Sequence, residues 1–325
     1  MKLSRRDFFK VSAVAAAVTS LGGAPPTVDT QNGMPYRMLG RTGEKVSLLC
    51  LGGNHIGVDT LRDEESIRIM RTAVDEGVNF FDNAYIYQQG RSETRMGMAL
   101  REGYRDRVFL MTKVYSDGRD VKAARRQLEE SLTRLQTDVI DLWQVHQIHR
   151  SEHPRLTYET GLLDMMLKAR EEGKIRYIGF TGHARPEWNA EMIDLGFAWD
   201  ATQMPINPCD HHWVSFERGV LPKAVENNIG VIAMKTLGGS LRKWAGELVE
   251  NAKVVTAEEC LRYAMSLPVT TVASGMDSMD VLQKNLAIAK SFKPLEEAQL
   301  ADILARCQAA AQGGEYEPYK KKELA

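Results

Sequence analysis

Cysteine is scarce in this chain, with four among 325 residues. Cys50, Cys209, Cys260 and Cys307 stand far apart in sequence, and no pair has the spacing of a zinc or dithiol motif. A structural metal site and a disulfide framework are therefore not expected, and the four read as small apolar residues. Net charge is almost absent too: 42 basic residues face 43 acidic ones, for a net of −1. No basic field draws the chain to nucleic acid. The apolar run from Val11 to Leu21 falls short of the roughly 20 residues that a membrane-spanning helix needs. A Gly-x-Gly-x-x-Gly after an early strand is also missing, which removes the usual fingerprint of an open dinucleotide-binding sheet.

What is present begins with the N-terminus. Arg5 and Arg6 precede the alanine-rich run, and Phe8, Phe9 and Lys10 lie between. Paired arginines ahead of a weakly apolar segment resemble a twin-arginine export signal. That resemblance implies the twin-arginine export machinery as a partner and a periplasmic or exported destination. Cleavage is expected near Ala24, but Pro25 would hinder a peptidase, so a retained signal acting as an anchor stays open. Residues 25–34 read as a Pro/Thr/Asn/Gly linker. Residues 1–34 are thus signal and linker, and 35–325 form the folded body.

The body opens with a hairpin. Tyr36–Leu39 and Val46–Leu49 flank the turn cluster Gly40-Arg41-Thr42-Gly43. Strand and helix patterns then alternate. Ile67, Met70 and Val74 make one helical stripe, and Ala124, Leu128, Leu132 and Leu135 make another. Between such stripes lie short β-favouring runs ending near Leu51, Asp82, Lys113, His146, Thr181, Gln203, Lys235 and Ser274. Eight β/α units of near-constant length predict an α/β fold, a closed (β/α)8 TIM barrel with an N-terminal β-hairpin. An amphipathic helix through Leu300, Ile303, Leu304 and Cys307 makes a C-terminal helical extension, and the charged residues after Gln312 read as loose.

In a barrel of parallel strands all C-terminal strand ends meet at one face, where barrel active sites lie. Asp82, Lys113 and His146 close three consecutive strands, and Tyr87 follows Asp82 by five residues. Alone, each has a plain structural explanation; together they make a site. A phenol titrates near 10, and a nearby ammonium favours its phenolate. Asp82 holds Lys113 charged, and His146 hydrogen-bonds a substrate oxygen or the phenol. A tyrosine with a tuned proton suits protonation of a developing alkoxide, as in carbonyl reduction. No side chain donates hydride, so a cofactor must supply it.

Phe81-Asp82-Asn83-Ala84…Tyr87, Thr112-Lys113 and Asp141-Leu142…His146 resemble the tetrad motifs of the aldo-keto reductases, and the likeness extends over residues 35–290. It implies an oxidoreductase moving hydride between a nicotinamide dinucleotide and a carbonyl or alcohol. Tyr87 is then the proton donor, supported by Lys113, Asp82 and His146. The dinucleotide implied is NADP or NAD, with NADP favoured by the family's habit. Thr181 and Gln203 match residues that hold the nicotinamide amide, although Gly182 stands where an asparagine is usual. Met234 takes the place of a stacking ring. Lys235, Leu237 and Gly238 fall near the expected pyrophosphate, and Ser274, Gly275, Met276 and Asn285 match the adenosine motif. Gly275, Val281 and Lys284 depart from that motif's common residues.

His55, His149, His183 and Trp213 are candidates for lining the substrate mouth, which is short of apolar bulk and suits a polar, sugar-like carbonyl. The histidines also raise a metal-dependent hydrolase, but the early His-x-His of such barrels is absent, and no metal is expected. The alternative from another class is a catalytically retired barrel serving as a binding or regulatory subunit.

Overall fold

The computed structural model describes residues 27–115, 120–239 and 248–321. The expected signal lies outside them. Eight parallel strands close into a barrel: β4 (Leu49–Gly52), β5 (Phe80–Asp82), β6 (Phe109–Tyr115), β7 (Ile140–Ile148), β8 (Ile175–Gly182), β9 (Ala201–Pro205), β10 (Gly230–Met234) and β11 (Thr271–Gly275). β11 pairs with β4 to complete the ring. Each strand ends within two residues of its expected position.

The sheet ahead of the barrel is larger than the hairpin expected. β2 (Met34–Met38) pairs antiparallel with β3 (Lys45–Ser47), and β1 (Asp29–Gln31) pairs with β2. The 25–34 linker is therefore partly a strand. The turn between β1 and β2 is Asn32-Gly33, both with positive φ (48° and 79°). That dipeptide is a strong two-residue hairpin signal.

Helices cover the outside of the barrel: α1 (Asp63–Asp75), α2 (Arg91–Ala99), α3 (Val121–Leu135), α4 (His153–Glu159), α5 (Leu162–Glu171), α6 (Pro186–Asp194), α7 (Phe216–Gly219), α8 (Leu221–Glu226), α9 (Ala257–Ser266), α10 (Met279–Lys290) and α11 (Glu297–Ala310). Their ends follow local chemistry. Asp120 caps α3 by accepting from the N–H groups of Lys122 and Ala123, and Thr256 and Glu259 form a capping box on α9.

Side-chain alternation sorts the strand residues into two cores. One set, with Phe81, Leu110, Trp143, Ile178 and Phe180, packs outward against the helices. The other, with Cys50, Phe80, Phe109, Met111, Leu142, Ala201 and Ile232, fills the barrel, and Leu39 and Val46 from the N-terminal sheet join it. The period of two then fixes the upper rim. Asp82 lies two residues above Phe80, Lys113 two above Met111, and His146 four above Leu142. All three therefore point into the barrel mouth.

Residues 313–321 are not loose. Lys320 is buried, and its ammonium donates to Asp210 at 2.5 Å and to Glu317 at 2.9 Å, both also buried. Tyr319 donates to Glu317 at 2.8 Å. Gly314, in the left-handed region at φ 62°, packs beneath the ring of Trp213. Charged residues enter an interior only when paired, and here the pairing draws the tail onto the top of the barrel. All four cysteines are buried free thiols.

Candidate active site

The four catalytic candidates meet at the C-terminal rim. The Lys113 ammonium donates to Asp82, to the Asn83 carbonyl at 2.7 Å and to the Tyr87 hydroxyl at 3.3 Å. The Tyr87 and His146 rings meet edge to face, 6.2 Å apart. Asp82, Lys113 and His146 are each at most 5% exposed. Backbone bonds from Asn83 N–H to the Met111 carbonyl (2.8 Å) and from Tyr85 N–H to the Lys113 carbonyl (3.1 Å) continue the β5–β6 pairing into the loop. Gln88, Gln89 and Gly90 then adopt positive φ in succession, reversing the chain directly after Tyr87. Such backbone is uncommon for non-glycine residues and is typical of sites held under constraint.

The electrostatics differ from the expectation in one respect. Lys113 alone would lower the Tyr87 pKa. Burial acts the other way and is stronger, so the phenol stands above its usual value despite the ammonium. Tyr87 thus keeps its proton at neutral pH. For Lys113, burial opposes the charge, but Asp82 and Tyr87 more than offset it, and its pKa is raised. The site is an ammonium–carboxylate pair supporting a neutral phenol.

These groups open into a cavity of about 340 Å³. Asp82, Tyr87, His146, Gln203, Met234, Lys235, Leu237, Gly238, Ser274 and Gly275 line it, as do His55 and His183. Asn54, Gln88 and Gln147 line it as well; these loop amides carried no pattern that separated them from other loop residues. Thr181 is buried on β8 and does not line the cavity, and its hydroxyl has no partner among the described residues. Gln203 donates to Asp82 at 2.9 Å, and its own buried side-chain oxygen has no donor among the described residues.

Four expected residues lie elsewhere. His149, just past the end of β7, is buried with its ring edge to face on His153, 4.4 Å away, and does not line the cavity. Trp213 packs on the tail at Gly314. Met276 is fully buried in the outer core. Asn285 sits behind the wall and donates to the Ser274 hydroxyl at 3.0 Å, orienting a lining residue rather than lining the cavity itself. No group of acidic, histidine or cysteine side chains among the described residues is arranged to hold a metal ion.

The signature of the Aldo/keto reductase family matches residues 48–306, and that of the twin-arginine translocation signal matches residues 2–22. The chain belongs to the aldo/keto reductase family. Among curated relatives of this aldo/keto reductase, the uncharacterized oxidoreductase YrpG of Bacillus subtilis is 36% identical over 233 residues, 64% of this chain and 68% of that protein. The L-galactose dehydrogenase of Arabidopsis thaliana is 26% identical over 295 residues, 80% of this chain and 89% of that protein. Among solved structures, holo AKR11C1 from Bacillus halodurans superposes with a TM-score of 0.69 at 25% identity, covering 87% of this chain and all of that one. The family is one of oxidoreductases, and its members use nicotinamide dinucleotides. The N-terminal signal marks the chain for export to the periplasm. Among the described residues no helix is long and apolar enough to cross a membrane.

Proposed function

We propose that this aldo/keto reductase reduces a polar carbonyl compound, with Tyr87 as the proton donor. The observation that carries the reading is the Tyr87 hydroxyl, protonated at neutral pH and 3.3 Å from a buried ammonium that Asp82 holds in place. A phenol so placed gives its proton to an alkoxide as it forms, and Lys113 stabilises the phenolate left behind. His146, edge-on to Tyr87, directs its ring at the same oxygen and sets the carbonyl's approach.

The residues present fit a nicotinamide dinucleotide. The unpartnered Thr181 hydroxyl and Gln203 side-chain oxygen supply one donor and one acceptor, the complement of a carboxamide. Met234 gives a polarizable face beside them. Leu237, Gly238, Ser274 and Gly275 line the cavity, and the two glycines leave room for the dinucleotide's phosphates. When bound, the dinucleotide supplies hydride. At the adenosine end, Lys284 is spent on Asp280 at 2.6 Å, and both are exposed. Discrimination between NADP and NAD is therefore expected to be weak, with dissociation constants within about tenfold, or 1.4 kcal/mol. Isothermal titration with each reads this directly.

The polar lining, with His55, Asn54, Gln88, Gln147 and His183, suits a hydroxylated carbonyl. Relatives named for sugars agree, among them the 6-dehydroglucose reductase of Novosphingobium aromaticivorans, 29% identical over 254 residues. The reading is tested with Tyr87→Phe. NADPH-dependent carbonyl reduction is expected to fall by about 10²- to 10⁴-fold, the range for loss of a general acid, with dinucleotide affinity nearly unchanged. Turnover close to that of the wild type would refute the role of Tyr87.

A further inference from the structure

Lys235 follows the last residue of β10 in the left-handed region, at φ 56°. Its turn is held from several sides. The Lys235 carbonyl accepts from Gly238 N–H at 2.9 Å and from the Asn207 side-chain amide at 3.2 Å. Asn207 also donates to Glu317 at 2.8 Å, so the buried Lys320–Asp210–Glu317 cluster of the tail braces the same turn. The brace holds the backbone of the turn, and the Lys235 side chain lines the cavity.

The charge at its tip is unusual for its setting. The fully buried lysines Lys113 and Lys320 hold carboxylates: Lys113 holds Asp82, and Lys320 holds Asp210 and Glu317. Lys235 is paired with no carboxylate among the described residues. Its ammonium instead lies 5.6 Å above the Tyr319 ring, and burial lowers its pKa. Holding a partly buried ammonium at a cavity wall without a counter-ion is unfavourable, and an anion entering the cavity would relieve it. The neighbouring groups say where that anion lies. Tyr319 is 6.2 Å from the His183 ring, and His183 is 6.4 Å from His146. His183 lines the same cavity, and burial together with Lys235, Lys113 and His149 keeps it neutral, able to donate one N–H. The contacts run from Lys235 towards His146, the side on which a carbonyl is presented to Tyr87.

We propose that Lys235 and His183 form an anion-binding corner of the substrate pocket, and that the carbonyl compound reduced here carries a carboxylate or phosphate group. The inference rests on the reductase reading above. It also gives Lys235 to the substrate rather than to the dinucleotide's phosphates.

Two measurements on the purified full-length protein test it. The first needs no turnover. Succinate or inorganic phosphate is titrated against the wild type and Lys235→Gln, and the melting temperature is followed. The wild type is expected to gain stability with at least one of the anions, and the variant to lose that response. An equal response in both, or none in the wild type, overturns the proposal. The second compares kcat/KM for matched substrates, 4-oxobutanoate against 4-oxobutanamide and glyceraldehyde 3-phosphate against glyceraldehyde. The anionic member of one pair is expected to be favoured, identifying carboxylate or phosphate. That preference should drop roughly 10- to 100-fold in Lys235→Gln, the range for losing a charged hydrogen bond, and survive largely in Lys235→Arg. A preference unmoved by Lys235→Gln, with weaker NADPH binding instead, would assign the lysine to the dinucleotide and sink the idea. Failure to reduce any of the four substrates would count against the reductase reading, while the anion titration still judges the corner by itself.

Discussion

Lys113 ties the groups at the rim together. Its ammonium is enclosed with the Asp82 carboxylate, the Asn83 carbonyl and the Tyr87 hydroxyl. Replacing it with methionine strands a buried carboxylate, a change that costs about 3–5 kcal/mol in comparable pairs. Urea denaturation of Lys113→Met is expected to show a loss of that order. The raised Tyr87 pKa sets the direction of pH dependence. The acid form is present through neutrality, so carbonyl reduction should be flat there and fall only in alkali. Alcohol oxidation needs the phenolate and should rise with pH; rate profiles in the two directions check this. At this scale the sequence was informative where strand alternation constrained it. Asp82, Lys113 and His146 were legible because each closes a strand and shares a face with barrel-filling residues. His149 and Trp213 were misplaced because loop residues have no such period. The Tyr87 pKa was misjudged because sequence shows the ammonium but not the depth of burial.

Among the elements, the C-terminal tail braces the Lys235 turn through Asn207. Composition marks its Glu, Tyr and Lys residues as solvated, and only the fold shows that Asp210 waits to receive Lys320. Removing the Lys320 charge leaves Asp210 and Glu317 buried together. Lys320→Met is expected to destabilise the protein by about 3–5 kcal/mol in denaturant titration. Through Asn207 it should also loosen the Lys235 turn. The first strand was missed for a different reason. Asn32-Gly33 was read as part of a linker because its flanks are short and polar, yet the dipeptide supplies the two left-handed residues that a tight hairpin needs. The eight barrel strands were legible because each repeats the same grammar of apolar run, polar end and amphipathic helix.

For the whole molecule, the barrel follows a twin-arginine signal at residues 2–22, which marks it for export. Twin-arginine export carries folded proteins, so the dinucleotide can be loaded before transport. The exposure to changing pH has a predictable sign. Burial leads the lowering of the His55, His183 and His212 pKa values below the usual 6.5. The unfolded chain therefore binds protons that the folded chain refuses. Their stabilising contribution is complete above about pH 6.5 and is lost as pH falls below it. The melting temperature should drop between pH 7 and pH 5, and His183→Gln should reduce that drop.

The account as a whole depends on hydride passing from a dinucleotide to a carbonyl carbon beside Tyr87. Reduction with NADPH deuterated at the transferable C4 position, followed by mass spectrometry of the alcohol, measures this directly. The account predicts one deuterium on the carbinol carbon, with far less of the labelled alcohol formed by Tyr87→Phe over the same interval. An alcohol formed by the wild type without the label would contradict it.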